Sequence, residues 1–108
     1  MAFTVLNTIA LERFTRKHRD ARVPLSDWLN TVSHAEWESL ADLRKVYPSA
    51  DGVNIRVAGG DVVVVTVFNI RGNRYRLLVV LSYVAAACRV VDVLTHAEYS
   101  SDRWKDRI

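Results

Sequence analysis

The chain has 108 residues, half of them apolar and a quarter charged, which is the composition of one globular domain over residues 1–108 and not of a disordered or fibrous protein. Its formal charge is +3, and arginine supplies twelve of its fifteen basic residues, so an anionic partner such as nucleic acid is expected. The absence of a long apolar run excludes a membrane-spanning helix, and the single cysteine excludes an internal disulfide. These features, with an N-terminus unlike a signal peptide, predict a cytoplasmic protein without a structural metal.

The first half of the chain predicts a short strand followed by three helices. The strand covers residues 3–7, and Thr8 is a candidate N-cap for the first helix. Pro24 suits the first turn of the second helix. Residues 33–36 match the capping-box pattern Ser-x-x-Glu, which predicts a break near Ser33 before a third helix that ends at about Val46.

The second half predicts a β-meander, since thirteen of the seventeen valines lie at or after Val53. The expected strands cover residues 54–58, 62–68, 74–83 and 88–94, and Gly59-Gly60 separates the first two. Thr95 is the expected cap of a last short helix that continues to Trp104. Helices followed by strands predict an α+β fold, with helices on one face of an antiparallel sheet.

Alternation along residues 74–83 separates two faces of one strand. Tyr75, Leu77 and Val79 begin an apolar face that is expected beneath the helices. Arg74 and Arg76 begin the other face, which is expected to be open. Arg71 adds a third cation at the same end of the sheet, so this face predicts a phosphate cradle. The buried side is expected to include Trp28, Trp37, His18, and Cys88 with its face partners Val90 and Leu94.

Three segments, in order, resemble one known family. Residues 68–77, FNIRGNRYRL, and residues 94–99, LTHAEY, resemble motifs of the HigB-type toxins in the RelE superfamily. Trp37 and the run YPSAD at residues 47–51 resemble that family's middle segment. The likeness covers about residues 10–105, and it departs from the family at the Gly59-Gly60 hairpin, which is longer than usual.

The resemblance implies a RelE-like fold and a toxin of a type II toxin–antitoxin system. Such toxins are ribosome-dependent endoribonucleases that cleave messenger RNA in the ribosomal A site and inhibit translation. They need no metal and no small-molecule cofactor, and they do not act on membranes. A helix-turn-helix antitoxin, here HigA-like, neutralises them.

Cleavage by this route needs a proton carrier and cations at the phosphate, because a 2′-hydroxyl attacks the adjacent phosphate and a 5′ oxygen leaves. His96 is the expected proton carrier, and the resemblance gives Arg76 as the phosphate clamp. Tyr99 lies one helical turn after His96 and is expected to stack on a base or to orient the phosphate. The expected RNA-binding residues are Arg71, Asn73 and Arg74.

Each of these residues has an ordinary structural alternative. His96 can be a solvated histidine, Arg76 an ion-pair partner of Asp92, and Tyr99 a packing residue of the last helix. Glu98 is a second candidate base, or it complements the helix dipole. For the whole chain, the alternative to an enzyme is a basic module that binds RNA or the antitoxin without cutting. The basic residues of the first helix are either solvated or contacts to ribosomal RNA: Arg13, Arg16, Lys17 and Arg19.

Overall fold

The structure is a computed structural model, which describes residues 2–108. Its strands are β1 (Thr4–Leu6), β2 (Asp51–Arg56), β3 (Val62–Ile70), β4 (Tyr75–Ser82) and β5 (Ala87–Thr95). Its α-helices are α1 (Ile9–Lys17), α2 (Arg22–His34), α3 (Leu40–Val46) and α4 (His96–Ser100), and short 3-10 helices cover Arg19–Ala21 and Arg103–Arg107. The fold is α+β, as predicted.

The five strands form one sheet in the order β1-β5-β4-β3-β2. Strands β2 to β5 make the predicted antiparallel meander. The first strand differs from the expected antiparallel arrangement, because β1 lies at the edge beside β5 and pairs with it in parallel, Thr4 opposite Ala87. The sheet is therefore mixed. This pairing joins the two ends of the chain, so no local turn signal indicates its direction.

A β-bulge in β5 changes which residues share a face. Leu78 pairs with Asp92 whereas Val79 pairs with Val90, so Val91 is an extra residue on β5. Strict alternation placed Leu94 on the same face as Cys88, and this prediction is wrong. Leu94 lies on the opposite face, because the bulge shifts the alternation by one residue.

Two apolar layers cover the two faces of the sheet. The helices α1 to α3 pack on one face, where Trp28, Phe68 and Leu77 are almost fully buried and Tyr75 and Val79 join them as predicted. The other face was expected to be open. Instead the C-terminal segment crosses it, and Trp104 is 2% exposed in a cluster that includes Leu78. This second layer leaves Arg76 only 8% exposed.

Of the three predicted helix caps, one forms and two do not. The capping box at residues 33–36 does not form: α2 continues to His34, the Ser33 hydroxyl donates to the Leu29 carbonyl, and Ser39 caps α3. Thr8 precedes α1 without a side-chain capping bond. The predicted cap at Thr95 is confirmed, since its hydroxyl accepts the Glu98 N–H at 3.2 Å and the Glu98 carboxylate accepts the Thr95 N–H at 2.9 Å. This box fixes the start of α4.

Native Cys88 should react only very slowly with the disulfide reagent DTNB. The side chain is fully buried, and burial raises the pKa of its thiol to about 12 from 9.0, so roughly a thousandfold less reactive thiolate is present at pH 8. Labelling at pH 8 should accelerate by at least about 100-fold in guanidinium, because unfolding exposes the thiol. If a protein with a native circular dichroism spectrum is labelled completely within seconds, that result would contradict the burial of Cys88.

Candidate active site

Arg76 is a buried cation on β4. Its guanidinium donates to the Asn73 carbonyl at 3.1 Å, to the Tyr75 carbonyl at 3.2 Å, and to the side-chain oxygen of Asn73. Among residues 2–108, no carboxylate forms an ion pair with it. Asp92, the alternative partner, lies opposite Leu78 and accepts the N–H of Val93. A buried cation without a counter-charge is costly, and an anionic ligand would offset that cost.

His96 lies beside this guanidinium at the start of α4. Its Nδ1 is 3.4 Å from Nη2 of Arg76. Because arginine can only donate, this contact requires an Nδ1 atom that carries no hydrogen. The backbone N–H of His96 donates to the Arg74 carbonyl at 3.0 Å, which ties α4 to the turn before β4. The imidazole itself is exposed, so it is accessible to a substrate.

Tyr99 completes the cluster of side chains around Arg76. The Arg76 Cζ atom is 5.6 Å from the centre of the Tyr99 ring, a cation–π distance. The ring also stacks on Trp104, with centroids 5.4 Å apart and an angle of 15° between the planes. Tyr99 thus packs the C-terminal segment and also contacts the guanidinium. The structure therefore brings together Arg76, His96 and Tyr99, and Asn73 accepts hydrogen bonds from the guanidinium.

The other two predicted RNA-binding residues lie apart from this cluster. The side chains of Arg71 and Arg74 turn to the helical side of the sheet and form ion pairs with Asp20 at 2.8 and 2.9 Å. The expected cradle of three arginines on one open face is therefore not formed. The reason is the turn: Arg71 has a φ of 52° and Gly72 a φ of 63°, so strand alternation does not extend to these residues. Both arginines remain partly exposed, and their contact with RNA stays a prediction.

Asp20 also lies at this end of the molecule, although no sequence pattern predicted a role for it. Besides its two ion pairs it accepts the Tyr75 hydroxyl at 2.6 Å. This hydrogen bond, helped by Arg74 and Arg71, holds the pKa of the Asp20 carboxyl below its usual 3.8, and it raises the pKa of Tyr75. The pKa of Asp20 is lower in the folded protein than in the unfolded chain. The contacts of its carboxylate therefore stabilise the fold fully above pH 3.8, and this stabilisation is lost as the pH falls through the lower, folded pKa.

The basic residues of the first helix are exposed, and none forms an ion pair with a carboxylate within residues 2–108. Arg16, Arg19 and Arg22 line a groove of about 960 Å³ between α1 and α2. Arg13 and Lys17 line a second groove, of about 630 Å³, between α1 and β5. In the described part of the chain, no three His, Cys, Asp or Glu side chains are close enough together to hold a metal ion, and no helix could span a membrane.

A comparison with protein families identifies the relationship. The family model HigB_toxin, described as the RelE-like toxic component of a toxin-antitoxin system, matches residues 21–102. The chain belongs to the HigB toxin family. A search of curated proteins finds no match. The matched region contains Arg76, His96 and Tyr99 and ends after α4, whereas Asp20 lies one residue before it. As the toxic component of such a system, this HigB-family toxin has an antitoxin as its partner.

Proposed function

We propose that this HigB-family toxin is a metal-independent endoribonuclease that cleaves messenger RNA in the ribosomal A site and thereby inhibits translation. The observation that supports the proposal is the buried Arg76 guanidinium, which has no acidic partner within residues 2–108 and lies beside an accessible histidine. Family membership supports the same chemistry, and a HigA-like helix-turn-helix protein is the antitoxin proposed for it. The proposed site of action is the cytoplasm, where translated messages are found.

In the proposed reaction the 2′-hydroxyl of one nucleotide attacks the adjacent phosphorus, and the bond from phosphorus to the 5′ oxygen breaks. The products are a 2′,3′-cyclic phosphate and a 5′-hydroxyl, so one proton leaves the attacking oxygen and one reaches the leaving oxygen. Arg76 stabilises the charge that develops on the phosphoryl oxygens. His96 exchanges one of the two protons, since imidazole changes its protonation state near neutral pH. Water or a group of the ribosome accepts or donates the other proton.

Two neighbouring side chains are proposed to orient these groups. Tyr99 already contacts both Trp104 and Arg76, so orientation of the guanidinium and phosphate is favoured over stacking on a base. Glu98 accepts the Thr95 N–H in the capping box. Its carboxylate therefore has a structural role in α4, which makes His96 the better proton carrier.

The direct experiment is primer extension on one messenger RNA, incubated with the toxin either free or during translation in a purified system. We expect cuts within codons only when the message is translated. Cutting of both free and translated RNA would contradict dependence on the ribosome. A toxin that cuts neither, but still binds ribosomes or its antitoxin, would support the non-catalytic binding module instead.

Association with ribosomes should weaken steeply with salt, because phosphate contacts release counterions. Each single-strand phosphate contact contributes about −0.7 to the slope of log affinity against log salt. Arg71→Ala should make this slope shallower by about 0.7, because the exposed guanidinium binds Asp20 through Nη1 alone and can contact a phosphate through its other donors. Arg89→Ala, at an exposed position on β5, is the matched control. A slope that Arg71→Ala does not change would contradict the predicted phosphate contact of this residue.

A further inference from the structure

We infer that Asp20 is a positioning residue for the active site: it fixes the turn at residues 71–74, and that turn holds both Arg76 and His96 in place. The consequence for cleavage rests on the proposed function. The positioning itself is a property of the free protein and can be measured without RNA.

The Asp20 carboxylate makes three contacts with the turn and the start of β4. Its Oδ2 atom accepts Arg71 Nη1 at 2.8 Å and Arg74 Nη1 at 2.9 Å, and its Oδ1 atom accepts the Tyr75 hydroxyl at 2.6 Å. Arg71 is the first residue of the turn, Arg74 is its last, and Tyr75 begins β4 directly after it. Asp20 therefore binds both ends of the turn from outside the sheet.

The turn itself contacts both Arg76 and His96. Between the anchored residues, Asn73 accepts two hydrogen bonds from the Arg76 guanidinium, through its carbonyl and its side-chain oxygen. The Arg74 carbonyl accepts the backbone N–H of His96 at 3.0 Å. Displacement of this one turn would therefore move the phosphate-binding cation and the proton carrier together.

The turn needs an external anchor because its own backbone is strained and exposed. Arg71 has a φ of 52°, a left-handed conformation that is unfavourable for a residue with a Cβ atom. The turn is also exposed to solvent from Arg71 to Arg74. Asp20 is itself well supported, because it lies in the 3-10 helix Arg19–Ala21, where Ala21 is fully buried. The ring of Tyr75 packs edge-on against Phe14, with centroids 5.0 Å apart.

Hydrogen exchange of the free protein tests the positioning directly. In Asp20→Ala, and to a smaller extent in Asp20→Asn, the amide of His96 should exchange at least about 10-fold faster than in the wild type. The Val65 amide, at a fully buried position of β3, should change by less than about twofold. Asp27→Asn, an exposed carboxylate on α2, is the matched control. Equal acceleration of both amides would mean that Asp20 stabilises the whole fold, and an unchanged His96 amide would mean that it does not hold the turn; either result overturns the inference.

The kinetic experiment uses the full-length variants on translated message. Asp20→Ala should lower the maximal cleavage rate by about 10- to 100-fold, since small misplacements of catalytic groups have effects of this size. The concentration giving half-maximal cleavage should change by less than about threefold, and Asp20→Glu should restore part of the rate. A folded Asp20→Ala protein that cleaves like Asp27→Asn would overturn the inference. If the wild type does not cleave RNA at all, the proposed function fails, and hydrogen exchange alone decides the role of Asp20.

Discussion

Arg76→Ala should lower the rate of cleavage of translated messenger RNA by about 10²–10³-fold, the usual effect of removing one positioned donor to a developing oxyanion. The guanidinium is buried beside His96 and has no carboxylate partner among residues 2–108, so its charge is available to a bound phosphate. Cleavage should be measured by primer extension under single-turnover conditions. Growth inhibition by the expressed toxin should be lost in parallel.

Two further variants distinguish the loss of the Arg76 side chain from a general loss of the folded structure. Arg76→Lys keeps the charge but loses the planar fork, so its activity should fall between that of Arg76→Ala and that of the wild type. Arg89→Ala removes an exposed arginine from the same sheet and should retain full activity. Because Arg76 belongs to neither apolar cluster, its variants should keep a cooperative thermal transition. A folded Arg76→Ala protein with wild-type cleavage would exclude this residue as the phosphate clamp.

His96→Gln should lower the cleavage rate by about 10²–10⁴-fold, the range that general acid–base catalysis contributes. Glutamine can still accept the Arg76 hydrogen bond, and the backbone N–H can still donate to the Arg74 carbonyl, so the local structure should persist. The variant cannot carry a proton at neutral pH. Single-turnover primer extension measures the rate.

Glu98 and Tyr99 are the other candidates for the proton carrier. Glu98→Gln is the matched control, because its side-chain oxygen can still accept the Thr95 N–H in the capping box. It should keep cleavage within a few-fold of the wild-type rate. If the folded His96→Gln protein cuts at the wild-type rate, histidine is not the proton carrier, and Glu98 and Tyr99 become the candidates.

The parts of the fold that were predictable depend on regular periodicity. One face of β4 carries only large apolar residues, whereas the other begins with Arg76, so the burial of Tyr75, Leu77 and Val79 beneath the helices followed from the sequence. The spacing between His96 and Tyr99, with Thr95 as the cap, likewise gave the start of α4 correctly. The closeness of Arg76 to these two residues was implied by the family resemblance, because they belong to different segments of the chain.

The features that the sequence did not reveal depend on long-range packing or on irregular backbone. The extra residue at Val91 breaks the alternation of β5 and moves Leu94 to the other face, and no residue type marks that bulge. Trp104 covers the face that was expected to be open, and the short, mostly charged C-terminal segment that carries it has no apolar periodicity to show where it packs. Asp20 contacts residues more than fifty positions away, so its role could not be inferred from local spacing.

The measurement that tests the central claim most directly is single-turnover cleavage of a messenger RNA held in the A site, with a single 2′-deoxy nucleotide placed at the cut position. We predict that the wild-type toxin cuts the all-ribose message to give a 2′,3′-cyclic phosphate and a 5′-hydroxyl. The 2′-deoxy substitution should abolish that cut, because it removes the attacking hydroxyl, and His96→Gln should slow the cut of the all-ribose message at least about 10²-fold. Cleavage of the 2′-deoxy message at the same position, or products that carry a 5′-phosphate, would contradict the proposed chemistry.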